Sequence, residues 1–277
     1  MNITDFIKQH PIAIFLAIAF IWTWTAMTVI LALFPIGTNP TEIAPIFLVL
    51  ILIGGFGPSI AGFIVTRIYY GKGSVWALLA KLKRWRVNIG WYGVALLIIP
   101  ILAVITLLID SVFGIPLPTS EQIFSVLLIG LIWPLLAALG EEFGWRGFAL
   151  PKLQERFNAS VTSIIIGLFW GLWHLPMDIF GTGNYGVLFF PNFILVHVIS
   201  VTVLATLMTW IYNNTEESML MMILFHYGIT FSAIVILPGG LSPSEGVITW
   251  LIYTSLQLVI VAIVIAYAGV KGLVRDS

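Results

Sequence analysis

Glu141, Glu142 and Arg146 place two carboxylates and a guanidinium within six residues, directly after the apolar run 123–139. On a helix Glu142 and Arg146 share a face and can pair, whereas Glu141 is turned about 100° away. One carboxylate can hold the arginine while the other is left for acid–base chemistry. A charge at the centre of a membrane helix costs about 2.5–3.5 kcal/mol on insertion scales, so three together need partners and a task. His174 follows Trp170 by one helical turn, and His226 precedes Thr230 by one turn. Imidazole and hydroxyl on one face can donate hydrogen bonds to a developing oxyanion.

Together these side chains could activate water against a carbonyl. Two histidines and a glutamate could equally hold a metal ion such as zinc. They could also form a proton relay in a transporter. His197 lies within an apolar run and is read as structural. Asp178, four residues after His174, could orient that ring, but Pro176 between them favours a plain loop. The chain contains no His-Glu-x-x-His zinc helix, no Gly-x-Ser-x-Gly elbow, no P-loop and no dinucleotide fingerprint. It has no cysteine, which excludes a thiolate nucleophile or ligand.

The elements that must carry these groups are membrane helices. The chain has 277 residues, of which 60% are hydrophobic and 9% charged. A soluble domain carries about 25% charged residues. The net charge of zero gives no reason to expect nucleic acid as a partner. At about 20 apolar residues per crossing, eight spans are expected: 11–34, 44–69, 91–112, 123–140, 161–175, 187–212, 218–237 and 247–269. The first is too long for a signal-peptide core and reads as a membrane helix. With the N-terminus inside, Lys8, Arg67, Lys72, Lys81, Lys83, Arg84, Arg86, Lys152, Arg156, Lys271 and Arg275 all fall on one side. Arg146 is the only basic residue left over, so the positive-inside rule predicts cytoplasmic termini. The segment 76–86 alternates basic and apolar residues and is expected to lie at the interface. Gly54-Gly55-Phe56-Gly57-Pro58 breaks the second span. No internal repeat or linker is found, so residues 1–277 read as one all-α, polytopic membrane domain with a plasma-membrane location.

At these residues the chain resembles the CPBP family of intramembrane proteases, which includes the CAAX prenyl protease Rce1 and the Abi group of bacteriocin-processing or immunity proteins. The family's Glu-Glu-x-x-x-Arg motif is matched by Glu141, Glu142 and Arg146. Its Phe-x-x-x-His motif is matched at His174, with Trp170 in place of phenylalanine. Its His-x-x-x-Asn motif is matched at His226, with Thr230 in place of asparagine. Gly57-Pro58 and the 210–215 stretch are also similar, so the resemblance covers a core of about 56–235. It implies eight helices around an inner cavity that opens toward lipid and cytoplasm. It further implies that Glu141 with His174 activates water, that His226 and Thr230 stabilise the oxyanion, and that Glu142 and Arg146 position the others. The implied substrate is a membrane-anchored or lipidated (CAAX-type) peptide or protein cut near its C-terminus. No cofactor is expected; zinc at Glu141, His174 and His226 is the alternative. A threonine donor has shorter reach than an asparagine amide, so reduced activity or altered substrates are expected. The competing reading is a weak or inactive family member acting as a membrane scaffold or immunity protein.

Overall fold

The computed structural model describes residues 3–36 and 45–273. All regular elements among the described residues are helical, and no strand occurs there. The principal helices are α1 (Pro11–Leu33), α2 (Ile46–Tyr70), α3 (Ile89–Val112), α4 (Ser120–Gln154), α5 (Ala159–Trp173), α6 (Leu175–Asn214), α7 (Met219–Ile236) and α8 (Pro243–Ala268). Among the described residues, seven of these are long and apolar enough to cross a membrane, and α5 is a shorter apolar helix. At 1.5 Å per residue its 15 residues reach about 22 Å, less than a hydrocarbon core of about 30 Å. The chain is thus an all-α polytopic membrane protein with seven full-length candidates and one short helix where eight spans were expected. The expected start of the second span at Ala44, and Arg275, lie outside the described residues.

Local sequence explains where the helices begin. Thr119 with Gln122, and Ser242 with Glu245, form capping boxes at the starts of α4 and α8. Asn158 and Ser218 cap α5 and α7 by accepting from Val161 and Met221 backbone N–H groups. Three π-helical stretches interrupt the regular turns: Trp145–Ala149 in α4, Ile194–Ser200 in α6 and Ser232–Ile236 in α7. Such bulges often accompany functional sites. In α6 the chain turns at Gly186, whose φ is 59°, before the long crossing begins at Phe189.

The basic residues gather at one end of the bundle. Lys81 Nζ lies 2.7 Å from Glu217 Oε2, and Lys152 Nζ donates to Tyr69 Oη at 2.7 Å. Arg84 donates to the Glu216 carbonyl, and the Ala159 N–H to the Lys271 carbonyl at 2.8 Å. Gln9 and His10 share a groove with Lys152 and Arg156. Burial pushes the Glu217 carboxyl up. The hydrogen bond and charge of Lys81, with Arg84, outweigh it and hold the group below its ordinary value. The contact therefore stabilises the fold above the unfolded pKa and is lost as pH falls through the folded one. The interfacial segment is shorter than expected: Ser74–Ala80 is helical, a 3₁₀ turn covers Lys81–Lys83, and Trp76 is 76% exposed.

The break in α2 is sealed by α1. Pro58 has no N–H for the Gly54 carbonyl one turn earlier, and the Thr23 hydroxyl donates to that carbonyl at 2.6 Å. Trp22 Nε1 donates to the Ile53 carbonyl at 2.8 Å. Freed carbonyls in a membrane helix must be satisfied this way, because lipid offers no donors. Below the break α2 meets α4 at backbone contact. A Cβ on Gly62 would sit 2.8 Å from Gly144 Cα, and one on Gly140 2.8 Å from the Gly55 carbonyl oxygen. Gly140 and Gly144 flank the two glutamates, so small-residue packing fixes the carboxylates against α2. Gly144→Ala drives a methyl into the Pro58 backbone and is expected to cost about 1–3 kcal/mol or more. Gly55→Ala meets nothing within 4 Å and is expected to stay within about 0.5 kcal/mol. Thermal unfolding in detergent compares the two.

Candidate active site

α4 carries Glu141, Glu142 and Arg146 into the middle of the bundle. They are 5%, 0% and 1% exposed, and His226 on α7 is 4% exposed. Charges so far from solvent require partners. Arg146 Nη1 donates to Glu142 Oε1 at 3.0 Å, the i,i+4 pair expected from the sequence. The same Oε1 receives His226 Nδ1 at 2.6 Å, a link between α4 and α7 that sequence spacing could not show. The Arg146 guanidinium also lies over the Trp170 ring, 4.1 Å from its centroid. Glu142 Oε2 and Arg146 Nη2 are buried without a hydrogen-bond partner.

Trp170 ties the remaining groups together. Its indole Nε1 donates to Glu141 Oε2 at 2.6 Å, and its backbone carbonyl accepts from His174 Nδ1 at 2.8 Å. The resemblance set Glu141 with His174 at the water; the structure joins the two through Trp170. Both histidines are held through Nδ1, so Nε2 is the ring nitrogen left to each of them. From the sequence Trp170 had no part beyond standing one helical turn before His174. A ring N–H three positions from a helix end, among apolar neighbours, was the signal for its larger part.

Asp178 and His197 were read as plain structural residues, with Asp178 at most orienting His174. The structure overturns that pairing. Asp178 Oδ2 lies 2.7 Å from His197 Nδ1, and the His197 ring stacks on His174 with centroids 4.5 Å apart and planes 23° apart. Gly171 makes this approach possible. A Cβ there would lie 2.8 Å from the His197 carbonyl carbon and 3.2 Å from Val198 Cα. The π-helical stretch of α6 presents His197 at that point.

Glu141, His174, His226 and Thr230 line one cavity of about 210 Å³, closed otherwise mainly by apolar side chains such as Met27, Ile51 and Trp133. Glu142 and Arg146 stand behind it. His174, His226 and Thr230 also line a second cavity of about 150 Å³, with His197, Ser200 and Tyr253. Every sequence-predicted site residue is therefore in or directly behind the same chamber. Among the described residues no three His, Cys, Asp or Glu side chains converge as a metal-ligand set. Glu141, His174 and His226, the residues of the zinc alternative, all line the cavity. The first cavity runs from Glu141 toward Trp133, about 12 Å along α4 and away from Lys152. The resemblance implied an opening toward lipid and cytoplasm, and charge counting put the basic end on the cytoplasmic side. In this structure the cavity leads away from the basic end.

Residues 122–232 match a protein-family model described as type II CAAX prenyl endopeptidase Rce1-like. Every motif residue named above lies inside that stretch. A curated relative, CAAX prenyl protease 2 of Methanococcus maripaludis, is 30% identical over 154 residues, covering 53% of this chain and 56% of the relative. The match thus spans little more than half of that relative's length. The resemblance read from the motifs holds over this region.

Two outcomes test the geometry. Arg146→Met leaves Glu142 buried with only His226 as partner and is expected to destabilise the protein by about 3–5 kcal/mol. Adding Glu142→Leu should recover much of that loss, read by unfolding in detergent. Trp170→Phe keeps a ring under Arg146 but removes the donor to Glu141. It should leave the fold intact and, in the protease reading proposed below, lower turnover about ten- to a hundredfold, the worth of one charge-assisted hydrogen bond.

Proposed function

We propose that this chain is an intramembrane endopeptidase that hydrolyses a peptide bond near the C-terminus of a membrane-anchored or lipidated, CAAX-type substrate. The observation that carries this reading is the convergence of Glu141, His174, His226 and Thr230, from three separate stretches of chain, on one cavity at membrane depth. The Rce1-like match over 122–232 and the relative named CAAX prenyl protease 2 support it.

In the proposed reaction Glu141 takes a proton from water, and the hydroxide oxygen bonds to the scissile carbonyl carbon. His174 aligns the water through Nε2, since its Nδ1 is engaged by the Trp170 carbonyl. The negative oxygen that forms is met by the Thr230 hydroxyl and by His226, whose Nδ1 is engaged by the Glu142 carboxylate and whose Nε2 is left to face it. The C–N bond then breaks, and the proton held by Glu141 passes to the leaving amine. Glu142 and Arg146 touch no reacting atom in this scheme; they keep His226 and Trp170 in place. The catalytic core is residues 56–235. The protein sits in the plasma membrane, with both termini in the cytoplasm, as the basic residues at one end of the bundle suggest.

Thr230 favours a second reading, a family member of weak activity that serves as a scaffold or immunity protein. Cleavage of a quenched fluorescent farnesylated CAAX peptide in detergent separates the two. Wild type is expected to cleave, and Glu141→Ala and His174→Ala to abolish cleavage, with or without chelator. Thr230→Ala should lose about 10²–10³-fold in rate, the usual value of one oxyanion donor, and Thr230→Asn should match or exceed wild type. Cleavage that survives intact in Glu141→Ala refutes the protease reading. Inert wild type with a Glu141-independent effect on a partner protein favours the scaffold.

A further inference from the structure

α8 turns a polar row inward. Thr249, Tyr253 and Gln257 recur every fourth residue and so share one face. They are 2%, 2% and 0% exposed. Polar groups buried in a membrane helix must find partners, because lipid supplies none. Thr249 Oγ1 donates to Asp110 Oδ2 at 2.9 Å, and Gln257 Oε1 accepts from Ser200 Oγ at 2.7 Å. Tyr253 is the exception. Its hydroxyl has no partner in hydrogen-bond geometry, although the Gln257 and Ser232 side chains stand near it. Gln257 Nε2 is likewise unpartnered.

Tyr253 lines the second cavity, of about 150 Å³, together with Ser200, His197, His174, His226 and Thr230. About 10–15 Å³ of such space holds one water, so there is room for several. Cavities that offer a water two to four polar partners are filled, whereas apolar cavities stay dry. Here the hydroxyls of Tyr253, Ser200 and Thr230 and the imidazole rings supply those partners. The first cavity is a different kind of space. Beyond His174, His226 and Thr230, which line both, mainly Glu141 and Thr23 interrupt a lining of side chains such as Met27, Ile51 and Trp133. An apolar chain seated there displaces water from around Glu141. Hydrolysis still consumes one water for each bond cut.

We propose that the second cavity is a water-binding chamber, which delivers hydrolytic water past His174, His226 and Thr230 to Glu141 while the substrate chain occupies the first cavity. Tyr253 and Ser200 are the residues that hold the water. Its use in cleavage rests on the protease reading above; its binding does not. For each bond cut, one water leaves the chamber. Its oxygen stays in the new carboxyl group, and its proton passes through Glu141 to the leaving amine. The two cavities thus divide the reactants, with His174, His226 and Thr230 at the place where they meet.

Hydroxyl radicals made by a short X-ray pulse oxidise side chains that touch water, buried ones included. Tyr253 and Phe148 are equally buried, and Phe148 lines neither cavity. In the purified protein in detergent, Tyr253 is expected to be oxidised about tenfold faster than Phe148 or more, after correction for ring reactivity. Ser200→Ala with Tyr253→Phe removes both hydroxyls without filling the space. In the farnesylated-peptide assay this pair is expected to lower kcat about tenfold, with KM within about twofold of wild type. A general loss of packing would also move KM and the unfolding temperature. Tyr253→Phe alone deletes an unpartnered group and keeps the contact of Ser200 with Gln257, so it stays folded and is expected to show part of the kcat loss. Two results overturn the proposal: Tyr253 oxidised no faster than Phe148, or folded variants with the kcat of wild type. Labelling needs no cleavage. If wild type cuts nothing while Tyr253 is oxidised, the protease reading fails and the water site stands. If wild type cuts while Tyr253 is not oxidised, the chamber alone fails.

Discussion

The structure depends on one oxygen atom. Glu142 Oε1 accepts from Arg146 on its own helix and lies 2.6 Å from His226 on another. In lipid an unpaired carboxylate is expensive, so Glu142 must meet a partner of opposite charge or a donor. That requirement selects the position of α7 against α4 and turns the His226 ring. The guanidinium completes the arrangement by resting on Trp170. A network that would be a liability in an apolar interior thus becomes the device that gives this interior a single arrangement.

Trp170 extends the same constraint to the groups that face the cavity. One residue donates to Glu141 from its indole and accepts from His174 at its carbonyl, so the acid and the imidazole are set by a single backbone position. Beyond it, His197 stacks on His174, and its Nδ1 lies 2.7 Å from Asp178 Oδ2. Glu141, His174 and His226 are therefore each backed by a group that does not line the cavity, or lines only the second chamber. Such backing is what keeps reactive geometry within the small tolerances that proton transfer needs.

Packing divides the molecule across its thickness. Glycines let α2 and α4 meet at backbone distance in the half that holds the basic loops, and large aromatic and sulfur side chains fill that half. In the other half the cavities displace packing, and a small cluster lies over the larger one. Thr23 and Trp22 mark the boundary, where they satisfy carbonyls freed by the break in α2. The rigid half holds the charged network in place, and the looser half leaves room for a bound chain.

The amino-acid sequence by itself determined the class of the protein. Apolar runs of crossing length, the one-sided distribution of lysine and arginine, and the i,i+4 pair of Glu142 and Arg146 are local properties, and local spacing reveals them. It also pointed to Glu141, His174, His226 and Thr230, because polar groups are conspicuous among apolar neighbours. The short fifth apolar run, 161–175, was also legible, and the structure gives it as the short helix α5. The sequence could not pair Asp178 with His197, place Trp170 between Glu141 and His174, or tell toward which end the cavity runs. These are contacts between residues far apart in the chain, created by glycines that meet across helices and by the need of each buried charge to find a partner. Only the tertiary structure decides them, because in lipid a polar group's energy depends on which neighbour it meets and not on where it stands in the sequence.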